Sequence, residues 1–252
     1  MGLGIVYLNT KHSAQAQANI EQSLSMFREI DFKWGRGEAL SFLGMLAREQ
    51  GNREAAYTNA EESLSIAREW GGKYGIAWSL SNLALLELDN ANLEQARRLL
   101  RESLEIYREG ADQYKIATTL LYIALVERKA GNRSEVIRRL REILLLGIEK
   151  SRLPGVSEVL TVLIGLLVEQ GRLNQAARLL GAVETLVEDK VNSETLLSYL
   201  CNYVWVQLME LTEPIRALAG QLNREDLQKE LEAGRRLTSE ETIRLSLEVA
   251  TD

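Results

Sequence analysis

The 252 residues hold one cysteine (Cys201), one histidine (His12) and two prolines (Pro154 and Pro214). A lone thiol cannot close an internal disulfide and fits a reducing compartment. On a helix it reads as a packing thiol rather than a nucleophile. His12 has no acidic or cysteine neighbour at metal-ligand spacing, so neither a zinc site nor a Ser-His-Asp arrangement can be built on it, and it reads as a solvated turn residue. Phosphate-cradling glycine motifs are missing as well: Gly2-Leu3-Gly4 lacks the third glycine and the preceding strand of a dinucleotide site, and no Gly-x-x-x-x-Gly-Lys-Ser/Thr occurs. No apolar run approaches the roughly 18 residues of a membrane span, and no basic segment followed by an apolar core opens the chain. Positive charge is not in excess: 30 Lys and Arg stand against 36 Asp and Glu, a net −6. That balance lacks the global field of a nucleic-acid binder. Carboxylate pairs such as Glu61-Glu62 and Glu240-Glu241 sit in charged helical stretches, where solvated faces or first-turn dipole partners account for them. These absences argue against an enzyme and against any cofactor or metal, and predict a soluble, cytoplasmic protein that works by binding.

What the chain does have is helix-forming residues and a period. Apolar residues make up 46% of it, and Leu, Ala, Glu, Arg and Gln outnumber the β-branched and aromatic types. Gly51-Asn52-Arg53, Ala91-Asn92-Leu93, Gly131-Asn132-Arg133 and Gly171-Arg172-Leu173 recur at intervals of 40 residues. On the same ruler Leu43, Leu83, Ile123 and Leu163 align, as do Leu46, Leu86, Val126 and Leu166, and then Ala56, Ala96, Val136 and Ala176 after the turn. Leu3, Val6 and Ala16 extend the series backward, and Trp34, Tyr74, Tyr114 and Pro154 mark the start of each unit. Within a unit the spacing is helical: Leu40, Leu43, Leu46 and Ala47 share one face, and Ala60, Leu64 and Ala67 share another after the turn. A glycine ends the first helix, and the short connection makes the pair antiparallel. Residues 1–190 are therefore predicted to form one truncated and four full helical hairpins, each of which needs its neighbours to bury its apolar faces.

From about residue 191 the register lapses. A helix is predicted to start near Ser193 with Leu196, Leu197, Leu200, Val204 and Leu208 on its inner face, followed by short helices opened by Thr212 with Pro214, by Asn223 with Asp226, and by the capping box of Thr238 and Glu241. Residues 191–252 read as a C-terminal cap within the same structural domain. This tail carries 6 basic against 11 acidic residues, while residues 1–190 carry 24 against 25. The first helix, of about eight residues, is too short to stand unaided, so the natural polypeptide is expected to continue upstream.

The small residue after each aligned leucine (Gly44, Ala84, Ala124), the alanine after the turn (Ala56) and the hairpin layout resemble the tetratricopeptide repeat. The period of 40 rather than 34 and the absence of the closing proline depart from it. Repeats of this length are similar to those in the sensor portion of bacterial signal-transducing ATPase regulators, including LuxR-type transcriptional regulators. The segments Gln175-Ala176-Ala177-Arg178-Leu179-Leu180-Gly181-Ala182-Val183-Glu184 and Gly234-Arg235-Arg236-Leu237-Thr238-Ser239-Glu240-Glu241 resemble the way many of those chains end. The resemblance implies an all-α, right-handed superhelical solenoid of antiparallel hairpins whose first helices line a concave groove.

Two sets of residues are candidates for binding. A second stripe on the first helices runs through Glu38, Phe42, Met45 and Glu49, then Trp78, Asn82, Leu85 and Asp89, then Thr118, Tyr122, Leu125 and Lys129. With Arg48 and Arg128 at its flanks it would form an apolar trough with basic edges, suited to a peptide, a helix or a small acidic effector. The same stripe would equally serve as packing between successive first helices. Only Asn82 corresponds to the basic-asparagine clamp by which such proteins hold a C-terminal carboxylate. The second set is a ridge of Arg98, Arg138 and Arg178, accompanied by Arg101, Arg139 and Arg141, in the manner of a phosphate track. Glu102 and Glu142 four residues after Arg98 and Arg138 favour surface ion pairs instead. The expected function is the sensor or interaction portion of a larger bacterial regulator, which binds a protein, peptide or small effector and passes its state to upstream modules. A free-standing scaffold joining two partners is the alternative. Nucleic-acid binding would rest on the ridge and on the likeness of Leu237-Thr238-Ser239-Glu240-Glu241 to the opening of a helix-turn-helix, after which only eleven residues remain.

Overall fold

The computed structural model describes residues 13–148, 156–186 and 212–250. His12, Cys201, Pro154, the first helix with Leu3 and Val6, and the helix expected from Ser193 lie outside the described residues, as does the expected passage from repeats to cap near residue 190. The described residues form helices and no strand: α1 Ser13–Glu29, α2 Lys33–Glu49, α3 Arg53–Trp70, α4 Lys73–Asp89, α5 Leu93–Glu109, α6 Gln113–Lys129, α7 Arg133–Ile148, α8 Val156–Glu169, α9 Leu173–Leu186, α10 Thr212–Gln221, α11 Arg224–Arg235 and α12 Ser239–Val249. Two compact units divide the chain, residues 1–122 and 123–252.

The connections explain the regularity. Asp31, Gly51, Gly71, Ala91, Ala111, Gly131 and Gly171 all have positive φ, between 50° and 77°. They fall on a ruler of 20 residues, half the period read from the sequence. At each of them the following residue donates its N–H to the carbonyl five positions back: Phe32 to Phe27, Asn52 to Ala47, Gly72 to Ala67, Asn92 to Glu87, Asp112 to Tyr107, Asn132 to Glu127 and Arg172 to Leu167, at 2.8–3.2 Å. This closure satisfies carbonyls that the end of a helix leaves orphaned. Both halves of the repeat thus end by the same device.

In the first unit α1 packs on α2, and α2 and α4 pack on their partners α3 and α5 as hairpins. The core positions repeat with the period: Leu40, Leu80 and Leu120 are at most 2% exposed, and Ala56, Ala96, Ala60 and Leu100 at most 1%. Gly44 sits where a Cβ would come 3.3 Å from the Ala56 carbonyl oxygen, which is why the position after the aligned leucine stays small. Serine also follows the period. Ser63 donates to the Gly37 carbonyl at 2.7 Å and lies 2.8 Å from the hydroxyls of both Ser41 and Ser79. A hydroxyl has one proton, so Ser41 and Ser79 must each donate to Ser63. Forty residues on, Ser103 donates to Ala77 at 2.7 Å and meets Ser81 at 2.8 Å.

In the second unit α8 and α9 form a hairpin, α10 packs on α8, α11 lies along α9, and α12 touches α7 and α9. Leu160, Leu163, Leu140, Ala176 and Leu180 are at most 1% exposed. The crossing of α9 and α11 is a backbone contact: a Cβ on Gly234 would stand 2.0 Å from the Arg178 carbonyl oxygen, and one on Gly181 would stand 2.2 Å from that of Leu231. Ion pairs flank it, Arg178 with Glu230 at 2.7 Å and Arg235 with Glu184 at 2.5 Å. The two segments that resemble the ends of regulator chains are the two sides of this crossing. Asn223 caps α11 by accepting from the Asp226 N–H at 2.9 Å, and Thr238 with Glu241 forms the capping box of α12.

Candidate functional site

The stripe on α2, α4 and the first turns of α6 is half-buried. Phe42 and Trp78, equivalent in neither repeat register nor residue type, meet edge to face with ring centroids 4.8 Å apart, so part of the stripe does join successive first helices. Phe42, Met45, Trp78 and Tyr122 nevertheless keep part of their surface in solvent, while Asn82 and Leu85 are buried. The Asn82 side-chain nitrogen is buried without a hydrogen-bond partner, a cost that native structures seldom leave unexplained. Burial pushes the Tyr122 phenol up, against the pull of the Arg48 charge.

The basic edges expected from Arg48 and Arg128 are not free cations. Arg48 grips Asp89 with two hydrogen bonds of 2.5 and 2.9 Å, and Arg128 grips Glu169 with two of 2.5 and 3.1 Å. The partner in each case stands 41 residues on, at the end of the next first helix, so these pairs join neighbouring repeats. The arginines Arg98, Arg138 and Arg178 are also engaged, and the charge of Glu142, four residues on, acts on Arg138. Arg98 donates to Gln95 at 3.2 Å, and Arg138 pairs with Glu135. Glu102 faces Arg68 at 4.0 Å, Glu142 faces Arg139 at 3.4 Å, and Arg178 is held by Glu230 of α11. The side chain of Glu135 is held below the usual carboxylate range by its hydrogen bond from Arg138.

At the outer edge of the stripe lies a cluster that the sequence did not single out as a site. The Lys115 ammonium stands over three rings, 5.1 Å from the centroid of Trp78, 5.4 Å from that of Tyr74 and 5.7 Å from that of Tyr114. Tyr74 also meets buried Tyr107 edge to face at 5.7 Å. Burial drives the Tyr107 phenol far up. The only hint in the sequence was the recurrence of Trp34, Tyr74 and Tyr114, read there as markers of repeat boundaries. Their exposure of 41%, 42% and 53% is high for aromatic side chains and marks a surface rather than a core. Beside them, between α2, α3 and α4, is a narrow cleft, partly open to solvent, with room for little more than one water-sized group and lined by Trp34, Glu38, Ala67, Trp70, Tyr74, Gly75 and Trp78 among others.

Among the described residues no group of three or more His, Cys, Asp or Glu is placed to hold a metal ion, and no helix is long and apolar enough to cross a membrane. Residues 35–109 match the tetratricopeptide repeat family. The backbone is similar to the crystal structure of BtubC (BKLC) from P. vanneervenii, with a TM-score of 0.60 at 15% identity over 90% of this chain and 93% of that one. It is also similar to the crystal structure of the apo form of RapI, with a TM-score of 0.54 at 15% identity over 97% of this chain and 81% of that one. At such identity the likeness is one of fold. No curated protein matches the sequence. The fold is an all-α, tetratricopeptide-like solenoid of helical hairpins, an architecture suited to protein interaction.

Proposed function

We infer that this chain is a non-catalytic binding module whose first helices receive a protein or peptide partner, and that it forms the sensor or interaction portion of a larger bacterial signalling or transcriptional regulator. The observation that carries the binding reading is the half-buried run of Phe42, Met45, Trp78 and Tyr122. Aromatic and methionine side chains kept partly in water offer apolar area to a partner. Arg48 serves this face by bracing it rather than by meeting an anion, because it already holds the Asp89 carboxylate, and Arg128 of the second unit is likewise spent on Glu169. A small acidic effector is correspondingly less well supported than a peptide. For the same reason the ridge of Arg98, Arg138 and Arg178 does not favour nucleic acid, since Arg138 and Arg178 are neutralised by Glu135 and Glu230. The regulator context rests on the two segments now seen to cross at Gly181 and Gly234, and upstream modules of the same polypeptide would read the bound state.

A screen of peptides by tryptophan fluorescence and thermal shift tests the reading. Peptides that bind wild type should lose at least tenfold in affinity with Phe42→Ala or Tyr122→Ala, each of which should itself cost stability by removing partly buried ring area. Binding undiminished in both variants would move the partner off this face. A scaffold that joins two partners predicts instead two simultaneous peptides, only one of them sensitive to these substitutions.

A further inference from the structure

The internal repeat provides a comparison of the molecule with itself. In one repeat the Lys115 ammonium occupies a cage formed by Tyr74, Trp78 and Tyr114, with Tyr107 packed beneath. Forty residues earlier the equivalents of Tyr74 and Tyr114 are Trp34 and Tyr74, so aromatic walls are present again. The equivalent of Lys115 is Gly75, and that of Tyr107 is Ala67. Two side chains that fill the later cage are therefore missing from the earlier one, and Gly75 and Ala67 both line the cleft left in their place. The equivalent of Trp78 is Glu38, a carboxylate whose Oε2 is buried without a hydrogen-bond partner.

We propose that the cleft between α2, α3 and α4 is a lysine-receiving site, in which the side-chain ammonium of a partner protein's lysine lies against Trp34 and Tyr74 and faces Glu38, taking the place that Lys115 takes in the next repeat. The ring faces attract a cation through their quadrupole, and the attraction strengthens where water is excluded. Glu38 supplies the opposite charge. Burial holds its carboxyl above the usual range, outweighing the field of Lys115, which is the state of an anion short of a partner. Lys33 also lines the cleft, but its ammonium lies 2.5 Å from Glu69 and is spent there. Trp70, 54% exposed at the rim, extends the apolar ground beyond the space that one ammonium needs. That extension favours a side chain presented by a protein over a free amine. The proposal rests on the reading above only in taking the partner to be a protein.

The test uses the full chain and the peptide acetyl-Gly-Gly-Lys-Gly-Gly-amide, followed through the indole N–H signals of Trp34, Trp70 and Trp78 in a nuclear magnetic resonance titration. Saturable shifts at millimolar peptide are expected. They should weaken at least tenfold when the lysine is Nε-acetylated, several-fold in Glu38→Gln, and vanish in Gly75→Lys, which supplies the missing side chain from within. A Cβ at position 75 would lie 3.2 Å from the Ala67 Cβ, a few tenths of an ångström of adjustment, so Gly75→Lys should fold. Equal response to the acetylated peptide, an undiminished response in Gly75→Lys and in Glu38→Gln, or no saturable shift in wild type would each overturn the proposal. So would n-butylammonium binding tenfold more tightly than the peptide, which would make the cleft a free-amine site. Failure here is separable from failure of the broader reading. Partner peptides lost in Tyr122→Ala but untouched by Gly75→Lys would keep that reading and sink this one, and a lysine response abolished by Gly75→Lys with no partner peptide in the screen would do the reverse.

Discussion

At the scale of the residue, the left-handed positions give a paired test of backbone strain. Gly51 and Ala91 are equivalent, with φ of 75° and 60°, and a Cβ at Gly51 would meet nothing within 4 Å. The cost of a side chain there is conformational alone, about 1 kcal/mol for an L-residue in this region. Gly51→Ala should lower the urea midpoint, and Ala91→Gly should raise it by a comparable or smaller amount, since glycine also frees the unfolded chain. Equal midpoints would mean that the turns are not strained. The glycine turns were legible because glycine advertises positive φ. Asp31 and Ala111 carry no such mark and stayed hidden, and Ala91 was placed only by its position on the period of 40. Glu38 makes a second residue-scale prediction. Its carboxyl is raised in the folded state by burial, so between its unfolded and folded pKa the native state binds more protons than the unfolded one, and stability falls as pH rises through that interval. Glu38→Gln should therefore flatten the loss of stability just above pH 4.5, the ordinary value, and should not lower the melting temperature at pH 7. A drop at pH 7 would mean that ionised Glu38 is already satisfied within the chain.

At the scale of the element, helix identity was readable from apolar spacing, whereas the joints between helices were not. Arg98 and Arg138 were matched to glutamates four residues on, the rule for one helix in isolation. The structure pairs Arg48 and Arg128 across repeats and Arg178 with α11, because packed helices bring residues 41 or 52 apart as close as residues four apart. The serine links and the α9–α11 crossing escaped for the same reason: a serine or glycine inside a helix gives no signal until its neighbour is known. The crossing should be intolerant. Gly234→Ala gains about 1 kcal/mol of helix propensity but drives a Cβ into the Arg178 backbone, which no side-chain rotation relieves, at about 1–3 kcal/mol. Amide exchange of α11 should accelerate while that of α2–α5 stays as in wild type; unchanged protection in α11 would mean that the helices do not cross so closely. Ser63→Ala should cost about 1–3 kcal/mol, more than Ser103→Ala, since it strands the donors of Ser41 and Ser79 rather than that of Ser81 alone.

At the scale of the whole molecule, a repeat is legible as sameness and a binding site as a departure from sameness. The period of 40 located the hairpins because Leu40, Leu80, Leu120 and Leu160 do the same work in each. The cleft exists because Gly75 and Ala67 do not do the work of Lys115 and Tyr107. Reading the period for what it conserves found the core and passed over the site. The same logic bears on the last three helices, which depart from the register altogether. Leu179, Leu180, Ala182 and Val183 of α9 and Leu160, Val162 and Leu163 of α8 are at most 1% exposed, with α10, α11 and α12 among the helices packed on this pair. A repeat array must cover its terminal apolar face or lose it to aggregation. A chain ending at residue 211 should therefore show faster amide exchange through α8 and α9 and should self-associate as concentration rises. Monomeric behaviour with α8 and α9 fully protected would mean that α10–α12 are not a lid, and the close crossing of α9 and α11 at Gly181 and Gly234 would then have to be explained by what it presents to a partner.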